Sequence, residues 1–238
     1  MWGKWYEKMV GKSVSIIFNF STVGGVSALA EVGGENFTVI AEHEVAGNPN
    51  ASVDFIDPVL AKEGKRLKQS KDSKGIGTLG AIYEVYSHST YVWDSSTITE
   101  YNSGPRTNDK FLVSVALGQT KTLSQSLNIS GTVTYSATVS GDIAKVINVG
   151  LTGSASGTIG YTYNTTTQYS GPSSPYNTRD YYGAIQFDTH STKVKKYNYY
   201  KTYNGSIYTG LVSYYAGIIT TDNVKKPKAI TYSKDFTN

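Results

Sequence analysis

Residues 122–143 read TLSQSLNISGTVTYSATVSGDI, and they alternate without a break. Odd positions from Leu123 to Ile143 are apolar or small, Gln125 excepted, while each even position from Thr122 to Asp142 is Thr, Ser, Asn or Asp. The same phase returns in Val149, Leu151, Ala155, Ile159, Tyr161 and Tyr163, set against Thr152, Ser154, Ser156, Thr158, Thr162 and Asn164. Successive strand side chains point to opposite faces, so the pattern predicts two long strands with one apolar and one hydroxyl face. Joined through residues 144–148, they form an amphipathic hairpin spanning residues 118–170.

Between Thr122 and Gln168 the only formal charges are Asp142 and Lys145. A strand face turned permanently to bulk water normally carries Lys and Glu. Ser and Thr without charge suit a surface that is wet in one state and packed or pore-lining in another, as in membrane-spanning β-hairpins. Long strands of a soluble sandwich alternate in the same way, and that reading stays open.

Upstream, Lys4, Lys8 and Lys12 precede a mostly apolar run from Val14 to Val26, and Ala28-Leu29-Ala30 has the small-x-small form of a cleavage site. Residues 1–30 therefore read as a signal peptide, with a first core strand as the alternative. Without them the chain keeps 19 basic and 17 acidic residues. A nearly neutral chain lacks the phosphate-neutralising excess of a nucleic-acid binder. It also has no Cys, hence no disulfide, thiolate metal site or thiol nucleophile. The expectation is a secreted, extracellular protein, and export without disulfides fits a Gram-positive bacterial source.

The remainder is expected to be a mostly β, elongated antiparallel sandwich or sheet with one short helix. An N-terminal β-rich lobe covers residues 31–117. It holds a strand over residues 37–46, a Gly47-Asn48-Pro49-Asn50 turn, and a helix near residues 57–70 opened by Asp57-Pro58. Strands follow at residues 82–93 and 111–117, and Gly171-Pro172-Ser173-Ser174-Pro175 breaks regular structure after the hairpin. Residues 176–238 form a C-terminal β segment holding eleven of the twenty Tyr. Asn204-Gly205 there signals a tight hairpin. Tyr199, Tyr200, Tyr214 and Tyr215 are its candidate recognition residues, since a Tyr ring joins an apolar body to a polar tip, although a half-buried sheet face uses Tyr equally well.

Catalytic patterns do not emerge. His43, His88 and His190 have no metal-ligand spacing, and Gly153-Ser154-Ala155-Ser156-Gly157 sits within the alternation rather than at a strand-to-helix elbow. The expectation is a protein that is no enzyme and needs no cofactor or metal.

Gly118-Gln119-Thr120-Lys121-Thr122-Leu123-Ser124, the Ser/Thr alternation through Ser140, the apolar residues 143–149 and the returning strand to Thr167 resemble the central region of aerolysin-type β-pore-forming toxins, including epsilon-toxin and mosquitocidal-toxin relatives. The resemblance covers about a fifth of the chain. It implies a secreted protein that meets a target membrane or surface receptor, forms a homo-oligomer there, and inserts one hairpin per subunit into a shared barrel. Val133, Tyr135, Ala137 and Val139 on one arm, with Leu151, Ala155 and Ile159 on the other, would face lipid. Thr132, Thr134, Ser136 and Thr138, with Thr152, Ser154, Ser156 and Thr158, would line the lumen. Ile143, Val146, Ile147 and Val149 would lie near the tip. The competing reading is a secreted or cell-surface β-sandwich module that binds a glycan, wall polymer or protein without forming a pore.

Overall fold

A computed structural model describes residues 37–67 and 82–237. The leader expected at residues 1–30 lies outside them. The described chain is mostly β and its sheets are antiparallel. Two strands dominate: β11 (Thr178–Asn204, 27 residues) and β12 (Ile207–Phe236, 30 residues), paired along their whole length. At about 3.3 Å per residue each would extend roughly 90–100 Å. Their connection is Gly205-Ser206, with Gly205 at φ 59°. A positive φ at the first central residue is what a tight II′-type turn demands, and glycine meets it without steric cost.

The neighbours of this hairpin change along its length. In the half nearest the chain end, β5 (Thr107–Ala116) flanks β11, and β1 (Thr38–His43) flanks β12. In the distal half β4 (Ile82–Glu100) takes over beside β11 and is itself edged by β2 (Ser52–Phe55) and β3 (Arg66–Leu67). β4 and β5 thus lie end to end along one edge of β11. β11 contains no extra residue, whereas the ladders to β4 and β12 each shift register at three places. Bulges of this kind steepen local twist, and they leave the side chains of β11 alternating strictly between two faces.

Between β5 and β11 runs an insert containing β6 (Thr120–Lys121), β7 (Leu127–Thr132), β8 (Thr134–Tyr135), α1 (Gly141–Thr152), β9 (Thr158–Tyr163) and β10 (Tyr169–Ser170). The expected continuous hairpin is corrected here. β7 and β9 pair over six residues each, and the apolar stretch expected at a hairpin tip is the helix α1. Gly153, in the left-handed region at φ 73°, ends that helix and donates its N–H to Val149 O at 2.9 Å. The helix near residues 57–70 is corrected too. Asp57 does accept N–H groups from Val59 and Leu60 as a cap would, but only one 3-10 turn, Leu60–Lys62, follows before β3. That turn buries no residue, and without an apolar face to pack a short helix has little to hold it.

Three apolar clusters hold the layers together. Tyr181, Ile185 and Ala229 pack beneath Ile129, Ile159 and Tyr163 of β7 and β9. Val194 and Val224 pack beneath Val146, Ile147 and Leu151 of α1. On the face opposite β7 and β9, Ala184, Ile230 and Tyr232 meet Phe37. Beside this third cluster Lys228, 2% exposed, lies 3.1 Å from Asp188 and 2.9 Å from Glu42. Burial alone would lower the Lys228 pKa, but the hydrogen bonds to Glu42 and Asp188 outweigh it and hold the ammonium above its ordinary range. Asp188 also accepts the Asn102 N–H at 2.8 Å, tying the β4–β5 connection to the sheet.

Lys228→Ala strands a buried carboxylate, and a loss of about 3–5 kcal/mol is expected in urea unfolding. Lys228→Ala combined with Asp188→Ala should recover part of it, because the unpaired charge is gone.

His190 lies two residues along the same face, and among the described residues neither ring nitrogen has a hydrogen-bond partner. Burial, then the nearby Lys226 ammonium, lowers its pKa from 6.5 against the weaker opposing pull of Asp188 and Glu44. The unfolded chain therefore takes up this proton first as pH falls. Stability from this group is complete above 6.5 and drains away as pH drops through 6.5 toward the lower folded value. Denaturant unfolding at pH 7.5 and 5.5 should show a smaller acid loss for His190→Leu than for the parent.

Candidate functional site

The insert wraps one edge of the sheet. β7 and β9 lie over the face of β11 that presents Tyr181, Gly183 and Ile185. α1 lies over the opposite face, that of Val194, against Trp93 and Ala51. Between them β8 pairs with Val224 and Lys225 on the outer edge of β12. Residues 136–143 then run beside residues 219–223 across a shallow cleft of about 420 Å³.

Close backbone approaches seat each part. Tyr163 lies over Gly183, where a Cβ would fall 2.3 Å from the ring, and its hydroxyl donates to Ile230 O at 2.6 Å. Burial raises the Tyr163 pKa. Tyr135 is pushed up to about 12 by burial, and its hydroxyl donates to Asn148 Oδ1 at 2.7 Å. Asn148 in turn donates to Ala155 O at 3.0 Å, so α1 is tied to both chain segments that flank it. On the far side, residues 45–51 cross the end of α1. Asn48 N–H donates to Val149 O at 2.9 Å, Ala51 is buried in the same cluster, and a Cβ on Gly47 would fall 1.8 Å from Gly150 O. Trp93 fills the space beside Gly150 so closely that a Cβ there would come within 2.3 Å of the indole.

The residues expected to face lipid mostly point inward. Val133, Leu151 and Ile159 are buried and Tyr135 and Val139 half-buried, but Ala137 and Ala155 are exposed. Of those expected near a tip, Val146 and Ile147 are fully buried by α1, and Ile143 and Val149 pack against the same cluster. Thr132, Thr134, Ser136, Thr138, Ser156 and Thr158 are exposed and Ser154 half-buried. Thr152 departs from the pattern: it is buried at the end of α1, its hydroxyl donating to Asn148 O at 2.8 Å. Asp142 and Lys145, the two charges between Thr122 and Gln168, sit 3.6 Å apart on the exposed side of α1, an exposed pair that stabilises little.

The four Tyr expected at a recognition surface divide between two faces. Tyr199 and Tyr215 lie on one. Tyr200 and Tyr214 lie on the other, and Tyr200 is corrected to a core residue, 2% exposed between the rings of Tyr86 and Tyr214. The Tyr214 hydroxyl donates to Glu84 at 2.7 Å. The face of Tyr199 gains partners from neighbouring strands. His88 stacks on Tyr199 at 4.6 Å, Tyr83 on Tyr203 at 5.2 Å, and Tyr197 lies 5.7 Å from Tyr215. Counting register back from the Gly205 turn would have aligned Tyr203 with Tyr208, but the β4 partners depend on a pairing remote in sequence. No described element covers this aromatic face. Among the described residues no three His, Asp or Glu gather as a metal site would require.

Comparison with known proteins returns no matching family model, no curated relative and no solved structure.

Gly47→Ala drives a methyl into the Gly150 carbonyl, and a loss of about 1–3 kcal/mol is expected. Amide exchange across α1 should accelerate. Gly64→Ala, with open space around the new methyl, serves as the neutral control.

Proposed function

We propose that this chain is a secreted pore-forming protein of the aerolysin type, whose insert is stored on the sheet and refolds into a membrane-spanning hairpin within an oligomer. The observation that carries the reading is a conflict between sequence and local structure. Residues 134–143 alternate strictly, yet after β8 they run as irregular chain into a helix. α1 itself contains Ile143, Val146, Ile147 and Val149, β-branched residues that favour strands, together with a glycine in its last turn. Local preference and fold usually agree, so a segment that alternates like a strand and is stored partly as a helix suits two structures. The near absence of charge favours a second structure that meets lipid.

Exposure in the stored form supplies a clean experiment. Ala155 and Ser156 are adjacent and both exposed, so a lysine at either has room in the soluble fold, and Ser156→Lys gives up only the exposed hydrogen bonds of its hydroxyl with Thr158 N–H and Ser154 Oγ. In the inserted hairpin Ala155 turns to lipid, where a lysine costs about 2–4 kcal/mol near the midplane, and Ser156 turns to the lumen. Dye release from liposomes should fall steeply for Ala155→Lys and persist for Ser156→Lys, with altered ion selectivity in single-channel records. Equal release from the two variants, or none from the parent on any lipid composition before or after limited proteolysis, counts against the pore.

The second reading, a secreted or cell-surface module that binds a glycan, wall polymer or protein, draws on the bare aromatic face. Its Tyr197, Tyr199, Tyr203 and Tyr215 lie beside the exposed Lys193 and Lys201. Saturable binding without leakage, lost on Tyr199→Ala or Tyr215→Ala, would favour it.

A further inference from the structure

The distal half of the sheet has two edges, and they differ. On the β4 side, β2 pairs with residues 89–92 and β3 with residues 83–84. On the β12 side, β8 pairs at residues 224–225 and β1 at residues 229–233, but no described strand lies against residues 207–218. That stretch reads IYTGLVSYYAGI and contains neither a charge nor a proline. Unpaired edges of soluble proteins are normally guarded by lysines, prolines or a covering element. Here the guards are confined to register shifts opposite Thr202/Tyr203 and Lys196/Tyr197, which frame an unshifted window from Gly210 to Tyr215.

We propose that this edge is an interface that pairs with the same edge of a second copy, antiparallel and about a two-fold axis through Ser213. The outer edge of β4 is interrupted by β2 and β3 and carries Asp94 and Glu100 on its remaining length, whereas residues 207–218 of β12 form a longer, chargeless free edge among the described residues, so edge pairing between two copies there joins β12 to β12. Antiparallel pairing about an axis normal to the sheet keeps each face continuous and sets a residue opposite its own copy. Centred on Ser213, it sets Leu211 opposite Tyr215 and Val212 opposite Tyr214. Aromatic rings opposite aliphatic or β-branched side chains are favourable cross-strand pairs. The missing charge is what such self-pairing needs, because any charge near the axis would meet its own copy. Leu211 and Tyr215 are among the exposed large side chains of the molecule, and Tyr214, although it packs on Tyr200 and bonds Glu84, keeps part of its ring exposed, so all three present apolar surface beside this edge.

Ser213 is exposed, and lysine or glutamate there leaves the subunit fold intact. In sedimentation velocity over a concentration series the purified protein should show a monomer–dimer equilibrium. Ser213→Lys and Ser213→Glu should each weaken it by about fivefold or more, and mixing the two variants should restore a heterodimer. Hydrogen exchange should slow at residues 207–218 as the dimer forms. A protein that stays monomeric at its highest soluble concentration overturns the proposal. If the edge amides of that monomer exchange slowly, the chain's own residues cover the edge; if they exchange fast, the edge is unused. Unchanged dimerisation of both variants, or no recovery on mixing, overturns it equally.

Discussion

The pairing of β11 with β12 is the constraint on which everything else rests. It is closed by a two-residue turn, so the longest ladder in the protein forms between residues near in sequence and carries a low loop-closure cost. All other elements are additions to it. β4 and β5 share one edge of β11, β1 and β8 share one edge of β12, and the insert lies across both faces. The buried Lys228 and Asp188, with the more exposed Glu42, then fix where on this long ribbon β1 and the β4–β5 connection attach. A ribbon in which Tyr, Thr and Lys recur along both strands could otherwise slip by two residues at small cost.

Much of the architecture was legible in the chain. β1, β4 and β5 lie where β-branched and aromatic residues run between turn signals, and Asn204-Gly205 marks the turn of the long hairpin, although that local signal says nothing of strands as long as Thr178–Asn204 and Ile207–Phe236. The helix was misplaced because Asp57-Pro58 carries the local start signal, and Asp57 does cap its turn, while nothing in one sequence states that no apolar surface awaits the face that follows. Instead the Asp57 carboxylate meets Lys196 at 2.7 Å, and the Lys196 hydrogen bond, ahead of the opposing effect of burial, holds it below the usual carboxylate range.

The insert was legible by composition and not by conformation. Alternation fixes which side chains would share a face if the segment were a strand, and in β7 and β9 they do: Ile129, Ile159 and Tyr163 point inward, and Asn128, Thr158 and Thr162 outward. What decides that residues 141–152 are helical lies elsewhere, in Trp93, Ala51 and the Gly47 crossing. These tertiary contacts override a local preference for strand. The split of Tyr200 from Tyr199 belongs to the same class. Alternation predicts opposite faces for neighbours, but which face is roofed depends on Tyr86 and Arg66, distant in sequence, as well as on Tyr214 across the hairpin.

The passage of the insert around an edge also shapes what remains if it leaves. Lifting α1 uncovers Val194 and Val224 on one side of the sheet, and lifting β7 and β9 uncovers Tyr181, Ile185 and Ala229 on the other. A subunit stripped in this way would carry two unlike apolar patches facing in opposite directions. Two unlike patches favour head-to-tail contact, in which each copy accepts a neighbour on both sides and growth stops only when a rotation closes it into a ring. In the structure both patches lie under one continuous stretch of the molecule's own chain.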